Sequence, residues 1–384
     1  MESSSGKDSI KKSKENEEKE ESKITLNKDN KKEIIIEKIR NVNGLMDVQK
    51  YIKGDFLGEG AFGKCYEFSD YDNNKKYAGK IISKSSFKEY KNMKRLIKEI
   101  KIHRKLDHPN VVKFEHYFED KDYVYILLEL CENKTLRNLL KNKKILTELE
   151  VQHYILELIK ALKYIHSKRI IHRDLKLSNI FLTKNMELKI GDFGLAVKLE
   201  YNNEKRNKVC GTPNYIAPEM INKQPYSYEV DIWSLGVIMY TLIFGKPPFE
   251  SNDEKIIYKK IKKLEYTFPE DIKVTEEAKD LIRKILVLDP RKRLKLDQIL
   301  IQSFFKSCKD VPKLLPPSIE SNNNNNLKTN NEFEKYRNTI FEEDETLKKP
   351  SIWVKCWLDF SSKYGLGYVF NNLNYGVFLM IVQK

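Results

Sequence analysis

Three short runs in which apolar and polar residues alternate, 51–57, 64–69 and 76–82, open the patterned part of the chain. Glycines or the Asp-Tyr-Asp-Asn-Asn stretch at 70–74 separate them, so they read as antiparallel strands joined by turns. Residues 92–106 place Met93, Leu96, Ile97, Ile100 and Leu106 at helical spacing before Asp107-His108-Pro109 stops the helix. Two more strands are predicted at 111–118 and 123–130. Beyond Glu132 the pattern turns helical: 148–167 is amphipathic, 229–244 is apolar on nearly every face, and 275–288 is amphipathic again. A strand-rich lobe followed by a helical lobe gives an α+β fold.

The flanks differ. Residues 1–50 alternate Lys, Glu, Ser and Asn around one apolar patch, Ile34, Ile35, Ile36 and Ile39. That is too little to offset ordering entropy, so a disordered charged tail is predicted there. Residues 306–350 hold Pro312, Pro316, Pro317 and an asparagine run at 322–326 and read as a linker, after which 351–384 brings Trp353, Trp357, Tyr364, Tyr368 and Phe370 among Gly and Asn. There is no internal repeat.

Composition narrows the class. The net charge is +15 over 384 residues, and most of the excess lies within 51–305. No arginine-rich run or aromatic-interleaved basic strip accompanies it, so nucleic acid is not an expected partner. The five cysteines are scattered without metal-ligand spacing, which points to a reducing compartment, cytoplasm or nucleus. The N-terminus leads into charge, and the apolar runs near 237–244 and 377–382 fall short of the about 20 residues a membrane span needs. A soluble protein with no membrane span is expected.

The chemistry concentrates in His172-Arg173-Asp174-Leu175-Lys176-Leu177-Ser178-Asn179 and, shortly after, Asp192-Phe193-Gly194. One carboxylate can take a proton, one ammonium can neutralise phosphate, and an amide with a second carboxylate can hold a hard cation. Gly58-Glu59-Gly60-Ala61-Phe62-Gly63, between two predicted strands, would let backbone N–H groups close on phosphates, although the pattern alone is weak. Lys80 ends the next strand, and Glu99 on the following helix could lock it. Ala217-Pro218-Glu219 closes the segment that begins at Asp192. In order and spacing these residues resemble the protein kinases, and the resemblance supplies the roles. Asp174 would orient the substrate hydroxyl, Lys176 would neutralise the moving phosphate, and Lys80 would hold the α- and β-phosphates of ATP. Asn179 and Asp192 would ligate magnesium (Mg2+), Arg293 would anchor Glu219, and Asp231 would hold the catalytic-loop backbone. The implied fold is the two-lobed protein kinase fold at 51–305.

Lys176 and the Gly211-Thr212-Pro213 segment resemble serine/threonine kinases, in which the threonine bonds the catalytic aspartate and lysine. Cys65, Ala78-Gly79-Lys80, Glu129-Leu130-Cys131, Phe181 and the Cys210-to-Glu219 segment together are similar to the polo-like kinase family. The stretch from Trp353 to Tyr368 resembles the start of a polo box. This resemblance implies an ATP site built from Leu57, Gly58, Gly60, Gly63, Cys65, Ala78, Lys80, Glu129, Cys131, Phe181 and Asp192. It also implies protein substrates with acidic residues near the target Ser or Thr, and a mitotic role at the spindle pole, kinetochore or division site. A single incomplete first polo box at 351–384 would leave the phosphopeptide-docking site unfinished. The family's activating threonine position holds Lys208, and no Ser or Thr lies between Gly194 and Cys210, so Glu200 and Glu204 are the candidates to pair Arg173. Two alternatives stay open: a catalytically impaired pseudokinase or scaffold, and a Ser/Thr kinase of another branch.

Overall fold

The structure, a computed structural model, describes residues 33–40, 45–60, 63–87 and 90–306, with the backbone of three strands between 354 and 378. Six strands form one antiparallel sheet: β1 (Ile34–Arg40), β2 (Met46–Gly60), β3 (Gly63–Asp70), β4 (Lys76–Ser83), β5 (Phe114–Glu119) and β6 (Tyr123–Glu129). Their order is β1-β2-β3-β4-β6-β5. The period-two alternation along β6 sends Tyr125 and Leu127 to one face, where they meet Tyr51, Phe68 and Phe118. It sends Val124 and Ile126 to the other, where Leu96 and Ile100 of α1 (Tyr90–His103) pack on them. One strand thus supplies both cores of the lobe.

Two expectations need correction. The disordered tail predicted for 1–50 is overturned where β1 pairs with β2, from Ile34↔Ile52 to Arg40↔Met46; residues 1–32 and 41–44 lie outside the described residues. Ile35 enters the aromatic cluster beside Tyr51, and the buried Glu37 accepts a hydrogen bond from the Tyr51 hydroxyl at 3.2 Å and meets His116 Nε2 at 2.6 Å. The four isoleucines are few, but the sheet edge offered by β2 gives them a partner. The strand expected at 111–118 begins only at Phe114; Val111 and Val112 are buried against Ile190 instead, through a parallel bridge and a 2.9 Å backbone bond.

The helical lobe contains α2 (Leu136–Lys143), α3 (Glu148–Ser167), α4 (Pro218–Ile221), α5 (Glu229–Phe244), α6 (Glu254–Lys263), α7 (Glu276–Ile285) and α8 (Leu296–Leu300). Thr147 and Glu150 start α3 as a reciprocal cap, the hydroxyl accepting from Glu150 N and the carboxylate from Thr147 N. α5 is buried along almost its whole length and stops at Gly245, whose φ of 77° suits a left-handed cap. Two small two-stranded antiparallel sheets complete the lobe, β7 (Ile170–Ile171) with β10 (Val197–Lys198) and β8 (Ile180–Leu182) with β9 (Leu188–Ile190). Among the described residues no helix is long and apolar enough to cross a membrane.

Two devices tie these parts together. Arg293 forms a two-pronged pair with Glu219, at 3.0 and 3.2 Å, and both side chains are withdrawn from solvent. A column of rings runs from the sheet to the helical lobe: Phe114 on His103 (5.6 Å between centroids), His103 on Phe193 (4.7 Å), and Phe193 on His172 (5.1 Å). His103 donates from Nε2 to the Val112 carbonyl at 2.7 Å, and its burial pushes its pKa down to about 4.

The second unit, described by itself, is an antiparallel meander of β11 (Val354–Phe360), β12 (Gly365–Phe370) and β13 (Tyr375–Phe378). Trp357 lies opposite Tyr368, and Tyr368 opposite Gly376. The linker predicted for 306–350 falls, apart from Lys306, outside the described residues.

Two stability measurements follow. Glu219→Ala leaves a guanidinium buried without its counter-charge, so urea unfolding should show a loss of about 3–5 kcal/mol; a loss no larger than that of an exposed ion pair would disprove the anchoring role. For His103, the folded pKa of about 4 lies below the ordinary 6.5, so the unfolded chain binds the proton first. The stability that His103 contributes is complete above pH 6.5 and declines as pH falls toward 4, by roughly 3 kcal/mol. The stability difference between the natural chain and His103→Gln should shrink over that window, and a pH-independent difference would refute the assignment.

Candidate active site

β2 ends at Gly60 and β3 begins at Gly63, with Gly60↔Gly63 the last pair of a tight hairpin. A Cβ at Gly63 would collide with the Ile81 carbonyl oxygen, so this position excludes any larger residue. Gly58 faces open space and sits opposite Cys65. Leu57 is exposed on β2, while Ala61 and Phe62 fall outside the described residues.

Beneath this hairpin, Lys80 of β4 lies opposite Cys65 on one side and Ile126 on the other. Its Nζ meets Glu99 Oε1 at 2.9 Å, and both side chains are largely buried. Burial alone would lower the Lys80 pKa, but the negative charges of Glu99 and Asp192 and the bond to Glu99 outweigh it and hold the ammonium above its ordinary range. The lysine is therefore a fixed cation facing two carboxylates, of which Asp192 adopts a left-handed φ of 60° and accepts from Gly194 N at 3.2 Å.

The rest of the expected nucleotide site spans neighbouring strands. Ala78 lies two residues before Lys80 and opposite Leu128, and Glu129 ends β6 with its carboxylate on Lys189 at 2.9 Å. Phe181 on β8 packs so tightly on Gly191 that a Cβ there would lie 2.9 Å from the ring. The Cys65 thiol is pushed up to about 11 by burial, and that of Cys131 up to about 12 by burial and the Glu129 charge. Both therefore remain neutral thiols.

The catalytic loop follows β7. Asp231, fully buried at the start of α5, accepts from His172 N and Arg173 N at 2.9 Å each, and its third contact is His166 Nε2, also at 2.9 Å. Burial would raise the Asp231 pKa; the bond and charge of His166, the His172 charge and the Arg173 N–H outweigh it and keep the carboxyl below its ordinary value. Thus held, the loop turns through Arg173 at φ 68°. Asp174 then receives three donors: Thr212 Oγ1 on Oδ1 at 2.7 Å, and Lys176 Nζ and Asn179 Nδ2 on Oδ2 at 2.8 and 3.2 Å. Lys176 also donates to Thr212 Oγ1 at 2.9 Å. The hydroxyl thus accepts from the lysine and donates to the aspartate, closing a triangle. Asn179 spends its amide nitrogen on Asp174, with a second bond to the Asp174 carbonyl at 2.9 Å, so its oxygen is the atom left for a cation.

That donor set fits magnesium. An amide oxygen and a carboxylate are hard ligands, and Mg2+ is commonly held by one or two protein side chains with phosphates and water completing its shell. An ammonium beside them and a backbone hairpin above form a chemistry suited to a polyphosphate.

A protein kinase domain model matches residues 51–305. The chain belongs to the protein kinase family, in its polo-like branch. It is 56% identical over 286 residues to a probable serine/threonine-protein kinase CCRP1 from Zea mays, and 39% identical over 389 residues to serine/threonine-protein kinase PLK1 from Xenopus laevis. It is 48% identical over 273 residues to the cell cycle kinase CDC5/MSD2 of Saccharomyces cerevisiae. These matches cover 74%, 86% and 71% of the chain but 46%, 65% and 38% of the relatives. The chain therefore spans less than two thirds of each of them.

One expectation fails in this polo-like kinase domain. Neither Glu200 nor Glu204 pairs with Arg173. Glu204 is taken by Arg206 at 2.7 Å and by the Glu200 N–H, and the Glu200 carbonyl accepts from Arg169. Arg173 instead donates from Nε to the Leu195 carbonyl at 2.8 Å and from Nη1 to the Tyr226 hydroxyl at 3.0 Å, which in turn donates a hydrogen bond to the Lys208 carbonyl at 2.6 Å. Sequence reasoning missed Tyr226 and His103. Tyr226 carried no motif; His103 stands four residues after Glu99, on the same helix face, and could have been found by that spacing.

The triangle makes a specific demand on residue 212. Removing a hydrogen bond to a charged group costs about 1.5–3 kcal/mol, so Thr212→Val should lower kcat by about 10- to 100-fold. Thr212→Ser, which keeps the hydroxyl, should restore most of it in a steady-state assay. Equal losses in both variants would show that the methyl group and not the hydroxyl matters.

Proposed function

We propose that the chain transfers the γ-phosphoryl group of ATP to serine or threonine hydroxyls of proteins. The observation that carries this reading is the closed triangle of Asp174, Lys176 and Thr212. It holds a carboxylate oriented for an incoming hydroxyl and keeps an ammonium beside it for the phosphate in flight. Asp174 takes the hydroxyl proton as the new P–O bond forms and the bond between the γ-phosphorus and the β–γ bridging oxygen breaks to release ADP. Lys80, fixed by Glu99, binds the α- and β-phosphates, and the Gly58–Gly63 hairpin covers them. Leu57, Cys65, Ala78, Glu129, Cys131 and Phe181 surround the adenine. Asn179 and Asp192 would hold magnesium, which when bound would neutralise charge on the phosphates.

The same reading extends to the partners. The basic excess of the kinase domain suits acceptors flanked by acidic residues. We further propose that 306–350 serves as a linker and that 351–384 begins a first polo box. The protein would work in the cytoplasm and nucleus during cell division, at the spindle pole, kinetochore or division site.

Turnover decides the matter. Bacterially made, phosphatase-treated chain given Mg-ATP and an acidic protein substrate should phosphorylate Ser or Thr, and Asp174→Asn should lower kcat about 10²- to 10⁴-fold. Lack of activity in the natural chain, or activity the variant retains, would overturn the proposal.

A further inference from the structure

The short helix α2 carries one cation to the rim of the active site. Thr135 caps this helix by accepting from Asn138 N and bridges to Phe181 of β8, and the helix packs against Leu177–Asn179 at the end of the catalytic loop. Leu136, Leu139 and Leu140 are buried, whereas Arg137 is exposed. The Arg137 charge reaches Tyr215, which follows Thr212 in the segment that completes the Asp174 triangle and is hydrogen-bonded to the Leu177 backbone and the Thr241 side chain. Burial pushes the Tyr215 hydroxyl up to about 12, against the Leu177 bond, the Arg137 charge and the Thr241 bond, while the Asp174 charge adds to the rise. One tyrosine thus feels both the Arg137 guanidinium and the catalytic carboxylate.

The fold itself makes no use of that guanidinium. Among the described residues Arg137 forms no ion pair, and Asp174, the carboxylate that acts on Tyr215, already receives Thr212, Lys176 and Asn179. The groups that hold Tyr215, the Leu177 backbone and the Thr241 hydroxyl, are neutral. No acidic residue stands in the first turn of α2, and a cation there opposes the helix dipole, so Arg137 weakens the helix that carries it. A solvent-facing guanidinium offers parallel N–H donors that match a carboxylate, and here the carboxylate must come from outside the chain.

We propose that Arg137 is a specificity residue that binds the carboxylate of one Glu or Asp of the acceptor protein, at a fixed number of residues from the target Ser or Thr, while that hydroxyl lies on Asp174. This rests on the kinase reading and narrows it. The basic excess of the domain would favour acidic acceptors wherever their charges lie, whereas a single guanidinium on a helix seated against the catalytic loop selects one position.

A set of serine peptides tests this on the full chain with Mg-ATP, each carrying a single glutamate in a neutral frame and differing only in how far the glutamate stands before or after the serine. At one position glutamate should lower KM about tenfold relative to glutamine with kcat little changed, as one charge-assisted contact predicts. Arg137→Ala should bring the two peptides to the same KM, and Arg137→Glu should make lysine the preferred residue at that position. Arg137 is exposed, so the fold should survive, which thermal melting checks. Fluorescence anisotropy with the target serine replaced by alanine reads the contact apart from turnover, and Arg137→Ala should weaken binding of the glutamate peptide about tenfold. A glutamate gain that is the same at every position, or a positional gain that both variants keep, would refute the assignment, as would binding that does not depend on residue 137. A chain that phosphorylates the peptides without regard to residue 137 would leave the kinase reading standing and this inference overturned. Binding that depends on Arg137 in a chain that never turns over would do the reverse.

Discussion

The buried carboxylate of Asp231 is the constraint on which the active site depends. It stands at the first turn of α5, the most deeply buried helix, and spends its oxygens on two consecutive backbone N–H groups of the catalytic loop and on His166. An uncompensated carboxylate at that depth would be strongly destabilising, so the loop can leave only at the cost of stranding the charge. This is why Arg173 can be kept at a positive φ, a conformation that few non-glycine residues adopt. The bend turns Asp174 toward Thr212 and Asn179 and not back along the strand.

The second dependence runs through α1. Glu99 and His103 lie one helical turn apart, and each reaches a different part of the site: Lys80, and the ring column on Phe193 and His172. A small rotation or withdrawal of this helix would break both together. The ammonium on β4, the Asp192 loop and the catalytic loop therefore share one mechanical condition. The sheet contributes through Val124 and Ile126, which seat Leu96 and Ile100 of the same helix. Packing and electrostatics here restrain a single rigid element.

Much of this was legible in the residues, for identifiable reasons. The bounds 148–167 and 229–244 coincide with α3 and α5 because a Thr-x-x-Glu cap opens the first and a glycine closes the second. The pairs Lys80–Glu99 and Glu219–Arg293 and the grip of Asp231 appear where the kinase resemblance puts them. What escaped has a common cause. β1 is stabilised by an edge strand and an aromatic cluster that lie outside its own segment, so local composition under-reads it. The partners of Arg173 escaped for the same reason. A charge-matching argument looks for carboxylates, whereas a carbonyl and a phenol placed by the fold satisfied its N–H groups.

That last case separates two quantities that are easily merged. A guanidinium whose donors are filled is satisfied as a hydrogen-bonding group, and its desolvation is repaired in that respect. Its charge is unchanged. Leu195 and Tyr226 orient Arg173 without neutralising it, and Tyr226 passes the connection on to Lys208 through another neutral bond. Between Arg173 and Lys208 the activation segment is thus fastened to the catalytic loop through neutral contacts. The bonds that orient Arg173 therefore fix its place beside Asp174 and leave its charge uncompensated.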